Sequence, residues 1–190
     1  MKNIKSEIKE WIESIAIAVI LALIIRTFCI QAFKIPTGSM KPTLLEGDHI
    51  LVNKFIYGAK IPFTKSLRLP GLRKPKRGDV VFFIYPKDPK KDFIKRLVAF
   101  AGETVEIKNG ELYIDGKRLN DSIFRNIFYY NRALAQEGKV ILVPEKSYFV
   151  LGDNSYSSQD SRYWGFVPQE YVLGEAFVIY WPLNRIRSIK

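Results

Sequence analysis

The chain is predicted to be mainly β, with coiled, barrel-like antiparallel sheets following one N-terminal transmembrane helix. Three observations predict this. A charge-free apolar run occupies residues 14–25. From Ile50 onward, short β-branched and aromatic runs alternate with Gly, Pro and Asn turn signals. Phe and Tyr number 13 and 10 among 190 residues, more than a helical bundle needs.

The N-terminal run, "SIAIAVILALII", has 12 residues, whereas a full span needs roughly 20. Arg26 interrupts it, and "TFCIQAF" continues apolar. A long arginine stem can snorkel to the headgroups, so residues 14–30 can still span. Trp11 fits an interfacial anchor, and Lys2, Lys5 and Lys9 favour a cytoplasmic N-terminus. Glu7, Glu10 and Glu13 dilute that signal only slightly, because acidic residues weigh little in orientation. A cleaved signal peptide or a buried core helix are the alternatives; no small-residue cleavage site follows the run. The expected division is a cytoplasmic N-terminus and anchor over 1–33 and a β-rich domain over 34–190.

Strand signals then follow at 49–57, 79–85, 93–102, 105–119, 140–153 and 175–182. Asn109-Gly110 and Asp115-Gly116 are hairpin turns by composition. Residues 58–78 and 120–139 read as loops, and within them only 131–139 hints at helical spacing.

Net charge is +11, and it is concentrated. Residues 54–96 carry 13 Lys and Arg against 3 Asp, a net of +10. This stretch is either a solvated face or an attractor for an acidic surface. Beside a membrane anchor, anionic lipid is the better match. Nucleic acid is not expected, although Phe55, Tyr57 and Phe63 interleave with the cations.

The available chemistry is narrow. Cys29 is the one cysteine and His49 the one histidine. No internal disulfide can form, no acidic cluster has ligand spacing for a metal, and no glycine-rich phosphate loop is present, so no cofactor is expected. The segment "IPTGSMKPTLLEGDHILV" raises the catalytic question. It holds Ser39 between Pro36 and Pro42, just after the greasy segment. A serine nucleophile needs a base. His49 reads as a structural or surface histidine. The other option is a lysine kept neutral by burial. Lowering a lysine from about 10.4 to 7 or 8 takes roughly 3–5 kcal/mol, which an apolar niche can supply. Lys95, in "DFIKRLVAF", is the lysine set among apolar neighbours, although strand alternation could equally turn it to solvent. A last cluster, "GDNSYSSQDSRYWGFVP", sets Asp153, Asp160 and Arg162 against aromatics, a composition fit for a turn or for paired charges that brace a site.

"PTGSMKPTL", "RGDVVFF", "FIKRLVAFAGE" and "GDNSYSSQDSRYWGFVP", in that order behind an apolar N-terminus, resemble type I signal peptidase, the bacterial leader peptidase. The likeness runs from about Ala22 to Pro182. It implies a β-rich serine endopeptidase with a Ser-Lys dyad, single-pass in the cytoplasmic membrane, its catalytic domain on the extracytoplasmic face. The implied activity is cleavage of signal peptides from exported precursors after small residues at −1 and −3. The implied partners are such precursors and anionic membrane lipid, with the protein-export translocon as a further candidate. By motif position Ser39 matches the nucleophile and Lys95 the general base. Thr37 matches an oxyanion donor that is more often Ser, and Ser158 a serine that orients the amine. Arg96, Asp153, Asp160 and Arg162 match bracing charges. Phe33, Ile35, Met40, Leu44 and Ile94 match residues lining small-residue pockets. Ser155-Tyr156 stands where the motif usually has Arg-Asp, so the bracing is expected to differ there. A non-enzymatic anchored module binding lipid or nucleic acid through the basic stretch is the rival from another class. A repressor-type Ser-Lys autoprotease is a second, and the greasy N-terminus argues against it.

Overall fold

The computed structural model describes residues 4–61, 64 and 67–189. Lys2 and Phe63, used above, lie outside the described residues.

Helix α1, Ile4–Ile24, continues through a π-helical turn, Ile25–Cys29. Together they provide a 23-residue helical segment, Glu7–Cys29, whose most apolar 18-residue window has a mean hydropathy of 2.2 and is not buried at all. At 1.5 Å per residue it is about 34 Å long, enough for a hydrocarbon core of about 30 Å. The helical segment ends at Cys29. Ile30 already opens strand β1, Ile30–Lys34, which pairs with β2, His49–Asn53. Residues 30–33, grouped with the anchor by composition, thus stand in the sheet. Apolarity carries over the junction, so composition does not mark the change of period.

The larger sheet adds β3 (Val80–Ile84), β4 (Asp92–Phe100), β9 (Ser147–Leu151), β10 (Val167–Pro168), β11 (Val172–Trp181) and β12 (Arg187–Ser188). Its order is β1-β2-β11-β3-β4-β9-β10, with β12 beside β11. Every pairing is antiparallel, and register shifts in β11 and between Leu97 and Ala99 of β4 coil it. A second sheet contains β5 (Thr104–Lys108), β6 (Glu111–Ile114), β7 (Lys117–Arg118) and β8 (Ile141–Leu142) in the order β7-β6-β5-β8. Asn109 and Gly110 both take positive φ, 52° and 77°, so the hairpin turn sits where its sequence signal is.

β3 is buried on both faces: Val80 and Phe82 enter one apolar cluster, Val81 and Phe83 another. That is why its sequence is a continuous apolar run without alternation. Segment 131–139 forms no helix; its described structure is turns and a bridge between Arg132 and Ala135. Its alanines and leucine imitated a helical face, but Ala135 is buried in the core of the second sheet instead. The short helices are α2, Ser122–Arg125, and α3, Ser161–Trp164, capped by the Asp121 and Asp160 side chains.

Candidate active site

The loop between β1 and β2 carries Ser39. Two backbone bonds close its base: Ile35 N–H to Asp48 O, 2.8 Å, and Gly47 N–H to Ile35 O, 2.9 Å. Thr37 is extended, and residues Gly38–Met40 turn tightly as a 3-10 segment. Ile35, Met40 and Leu44 are essentially inaccessible and pin the loop to the core. Those three side chains form the packed base beneath the loop, and Phe33 stacks on Phe82 with centroids 3.9 Å apart. Of the five expected pocket residues, Ile94 lines the open cleft. Sequence pattern marks a residue as apolar but not which apolar residue the last layer of packing leaves exposed.

Lys95 comes from β4, where it pairs with Val81. Its side chain faces inward and is 4% exposed. Nζ lies 2.8 Å from Ser39 Oγ, and it donates to the Ile94 carbonyl at 2.9 Å. Burial lowers the ammonium to about 8, and the Asp160 and Asp153 charges only partly oppose that. A neutral amine is therefore available near physiological pH, within reach of a hydroxyl proton. The two groups are 56 residues apart in sequence. His49 sits instead on β2 against Tyr180, with Nδ1 3.4 Å from the phenol oxygen, and it does not line the cleft.

The cleft has a volume of about 540 Å³. Pro36, Thr37 and Gly38 form one side, and Asp92, Phe93 and Ile94 the other. Residues 92–95 pair only with β3, because pairing with β9 begins at Arg96. One edge of β4 is therefore open along the cleft, a template for an added strand.

Behind Ser39 and Lys95 sit two buried ion pairs. Arg96 grips Asp153 through Nε and Nη2 at 2.8 and 2.6 Å, and Nη1 donates to the Gly78 carbonyl at 2.6 Å. Arg162 grips Asp160 at 2.8 and 2.7 Å and also donates to the Tyr130 and Ser155 carbonyls, each at 2.8 Å. Asp160 in turn accepts the Gly152 N–H at 3.1 Å. All four expected bracing residues are thus paired and buried. Asn154 transmits the bracing to the turn: its N–H donates to Ser39 O at 3.1 Å and its side-chain amide to Gly38 O at 3.0 Å. Ser155 belongs to this network, since its hydroxyl accepts from Arg162 Nη1 at 2.7 Å and from Tyr130 N–H at 2.9 Å.

Ser158 is 4% exposed and its hydroxyl has no hydrogen-bond partner among the described residues. It abuts Gly152, where an added Cβ would lie 2.2 Å from Ser158 Oγ and 2.5 Å from Ser39 O. Only glycine allows that approach. Sequence reasoning missed Thr43, whose hydroxyl bonds Asp153, and the Asp48–Arg185 pair under the loop. No local pattern signals either, because their partners are remote in sequence. Within the basic stretch, the arginines have internal partners. Arg73 is paired with Asp79 and Glu175, Arg77 with Glu103 and Arg96 with Asp153, and Arg68 donates to three backbone carbonyls. Lys74, Lys76, Lys87 and Lys90 remain exposed.

Three comparisons place this arrangement among known proteins. A family model described as "Signal peptidase, peptidase S26" matches residues 8–181. A probable signal peptidase I-2 of Synechocystis sp. is 39% identical over 185 residues, covering 93% of this chain and 76% of its own. Signal peptidase I P of Bacillus subtilis subsp. natto is 34% identical over 198 residues, covering 100% of this chain and 97% of its own. A solved signal peptidase I from Enterococcus faecalis V583 is 37% identical, covering 54% of this chain and 97% of its own, with a TM-score of 0.45.

Proposed function

Because the chain belongs to the signal peptidase family, peptidase S26, and is therefore a serine peptidase of signal peptides, we propose that it cuts exported precursors with a Ser39–Lys95 dyad after small residues at −1 and −3. One observation carries the dyad: a buried amine with its ammonium lowered to about 8, 2.8 Å from the serine oxygen. The rival of a non-enzymatic binding module gives way to the family's peptidase identity.

In the proposed mechanism, neutral Lys95 takes the proton of Ser39 as Oγ attacks the scissile carbonyl carbon. The Thr37 hydroxyl and the Ser39 N–H donate to the oxyanion, an effect for which one donor typically accounts for about 10²–10³ in rate. The Lys95 ammonium then protonates the leaving amine as the C–N bond breaks. A water molecule, deprotonated by the same amine, hydrolyses the acyl-serine. Ser158, beside Ser39 and Gly152, is the proposed orienter of the amine once substrate and solvent fill the cleft. Arg96, Asp153, Asp160 and Arg162 hold the strand and turn that carry the dyad.

The open edge of β4 supports extended binding. In a strand, alternate side chains share one face. Those facing the loop would meet the packed layer of Ile35, Met40 and Leu44, which has no spare volume, so small side chains two apart are accepted. Segment Glu7–Cys29 anchors the enzyme in the membrane. With the N-terminus inside, the cleft stands on the extracytoplasmic face, where a precursor's signal helix ends. The exposed lysines around 74–90 attract anionic lipid, and the translocon is a candidate neighbour.

The test is mass spectrometry of the products from a precursor with a small-x-small site. The wild-type chain and His49→Ala are expected to release the mature protein, and Ser39→Ala and Lys95→Ala to release none. Near-normal turnover by Lys95→Ala would sink the dyad.

A further inference from the structure

On the other side of the nucleophile's turn lies a second hollow, of about 380 Å³, that the dyad does not use. Lys41 and Pro42, two and three residues past Ser39, contribute one wall, and Asn154 and Tyr156 another. Phe128 and Tyr130 also line it. Three aromatic rings are presented to solvent there: Phe128 is 59% exposed, Tyr130 38% and Tyr156 70%. They form a ladder, with edge-on contacts at centroid distances of 5.0 Å for Phe128–Tyr130 and 5.5 Å for Tyr130–Tyr156.

The ladder is held in place. The Phe128 ring lies on Gly110, where an added Cβ would come within 2.2 Å of it. Tyr129, between the exposed rings, is 2% exposed in the core, and its N–H donates to Gly110 O at 2.8 Å. The Tyr130 backbone is tied to the Ser155 hydroxyl and to Arg162. An apolar patch kept rigid and exposed beside a site marks a binding surface. It is also continuous with the cleft. Ser39 faces the cleft, and Lys41 and Pro42 face the hollow. Within one 3-10 turn, Ser155–Ser157, Tyr156 faces the hollow and Ser157 the cleft.

The geometry points to a leaving-side subsite: the hollow receives an aromatic or large apolar side chain from the mature part of the precursor, two to four residues past the cut bond. This rests on the peptidase reading above. The cleft takes the residues before the bond, so those after it must leave past the turn. An extended chain covers at most about 3.3–3.6 Å per residue, which sets the second to fourth residue against walls that begin at Lys41 and Pro42. The Arg132 guanidinium lies over the Tyr130 ring, while Phe128 and Tyr156 keep more than half of their surface open to solvent, and one ring contact is worth roughly threefold to tenfold in affinity or rate.

The test compares two peptides identical through the first residue after the cut, one with Phe and one with Ser at the third. The detergent-solubilised full chain is expected to prefer the Phe peptide roughly threefold to tenfold in kcat/KM. Tyr156→Ser and Phe128→Ala should each bring the ratio toward one, and Tyr156→Phe should keep it. No preference in the wild-type chain with Phe at the second, third or fourth position overturns the subsite. So does an unchanged ratio in both variants. A loss that falls equally on both peptides, and only with anionic vesicles, would make the ladder a lipid contact and overturn it too. If the wild-type chain cuts neither peptide, the peptidase reading fails first and takes the subsite with it.

Discussion

Asp48 and Arg185, 137 residues apart in sequence, form a two-pronged ion pair that ties the C-terminal turn to the base of the loop carrying Ser39. The distances are 2.7 and 2.8 Å, and the Asp48 side chain is 2% exposed. The same carboxylate accepts the Leu45 N–H at 2.8 Å. Burial by itself would raise the Asp48 carboxyl; the Arg185 hydrogen bonds, the Leu45 N–H and the Arg185 and Arg187 charges outweigh it and hold the group below its usual range. Arg185→Ala leaves that carboxylate buried without its cation. Stability should fall by about 2–4 kcal/mol, read from denaturant melts at neutral pH. Arg187→Ala, which removes one exposed bond to the Thr43 carbonyl, should cost about 1 kcal/mol or less. Equal, small losses for both would mean the pair does not anchor the loop.

The rate should depend on pH through Lys95. Its ammonium is lowered by burial to about 8, and only the neutral amine accepts the serine proton. Activity should therefore fall as pH drops through about 8, roughly tenfold per unit below it. A kcat/KM profile that stays flat down to pH 6 would exclude a lysine base.

The same burial has a signature in stability. The ammonium is lowered from 10.5 to about 8 on folding, so between those values the unfolded chain holds a proton that the folded chain does not. Stability should rise with pH across that window, by up to about 1.4 kcal/mol per unit, and the full penalty remains below pH 8. Lys95→Met should remove this rise and be more stable than wild type at pH 7. Melts at pH 7, 8, 9 and 10 on both chains decide it; parallel curves would mean Lys95 is not desolvated.

Gly152→Ala tests how tightly the turn is seated. The new methyl would lie 2.2 Å from Ser158 Oγ and 2.5 Å from Ser39 O, so the Ser39 carbonyl or Ser158 must move. A displacement near 1 Å can cost about 10² in rate. We expect kcat to drop by about that factor while the variant remains folded by circular dichroism. Wild-type kcat would show that the contact is slack.

Much of the fold was legible because local rules dominate it. Asn109-Gly110 turns where its positive φ demands, and β3 reads as a strand because both its faces are covered. The placements that were not legible share one cause. The anchor's edge at residues 30–33, the missing helix at 131–139, and the buried Ile35, Met40 and Leu44 were all decided by remote packing. Apolarity records that a residue avoids water, and it is silent about which neighbour does the covering.

The sequence alone determined the chemical inventory: one histidine, one cysteine, a serine between prolines, a lysine in an apolar run, and a helix able to cross a bilayer. Those are properties of residue type and near neighbours, which a one-dimensional pattern preserves. Only the tertiary structure decided that Lys95 turns inward to stand 2.8 Å from Ser39, that the arginines of the basic stretch are taken up by internal partners while several of its lysines stay exposed, and that the rings of Phe128, Tyr130 and Tyr156 meet beside the Ser39 turn. Each of these depends on strands and loops distant in sequence being packed together, and distance in space, unlike residue type, is set only when the whole chain has folded.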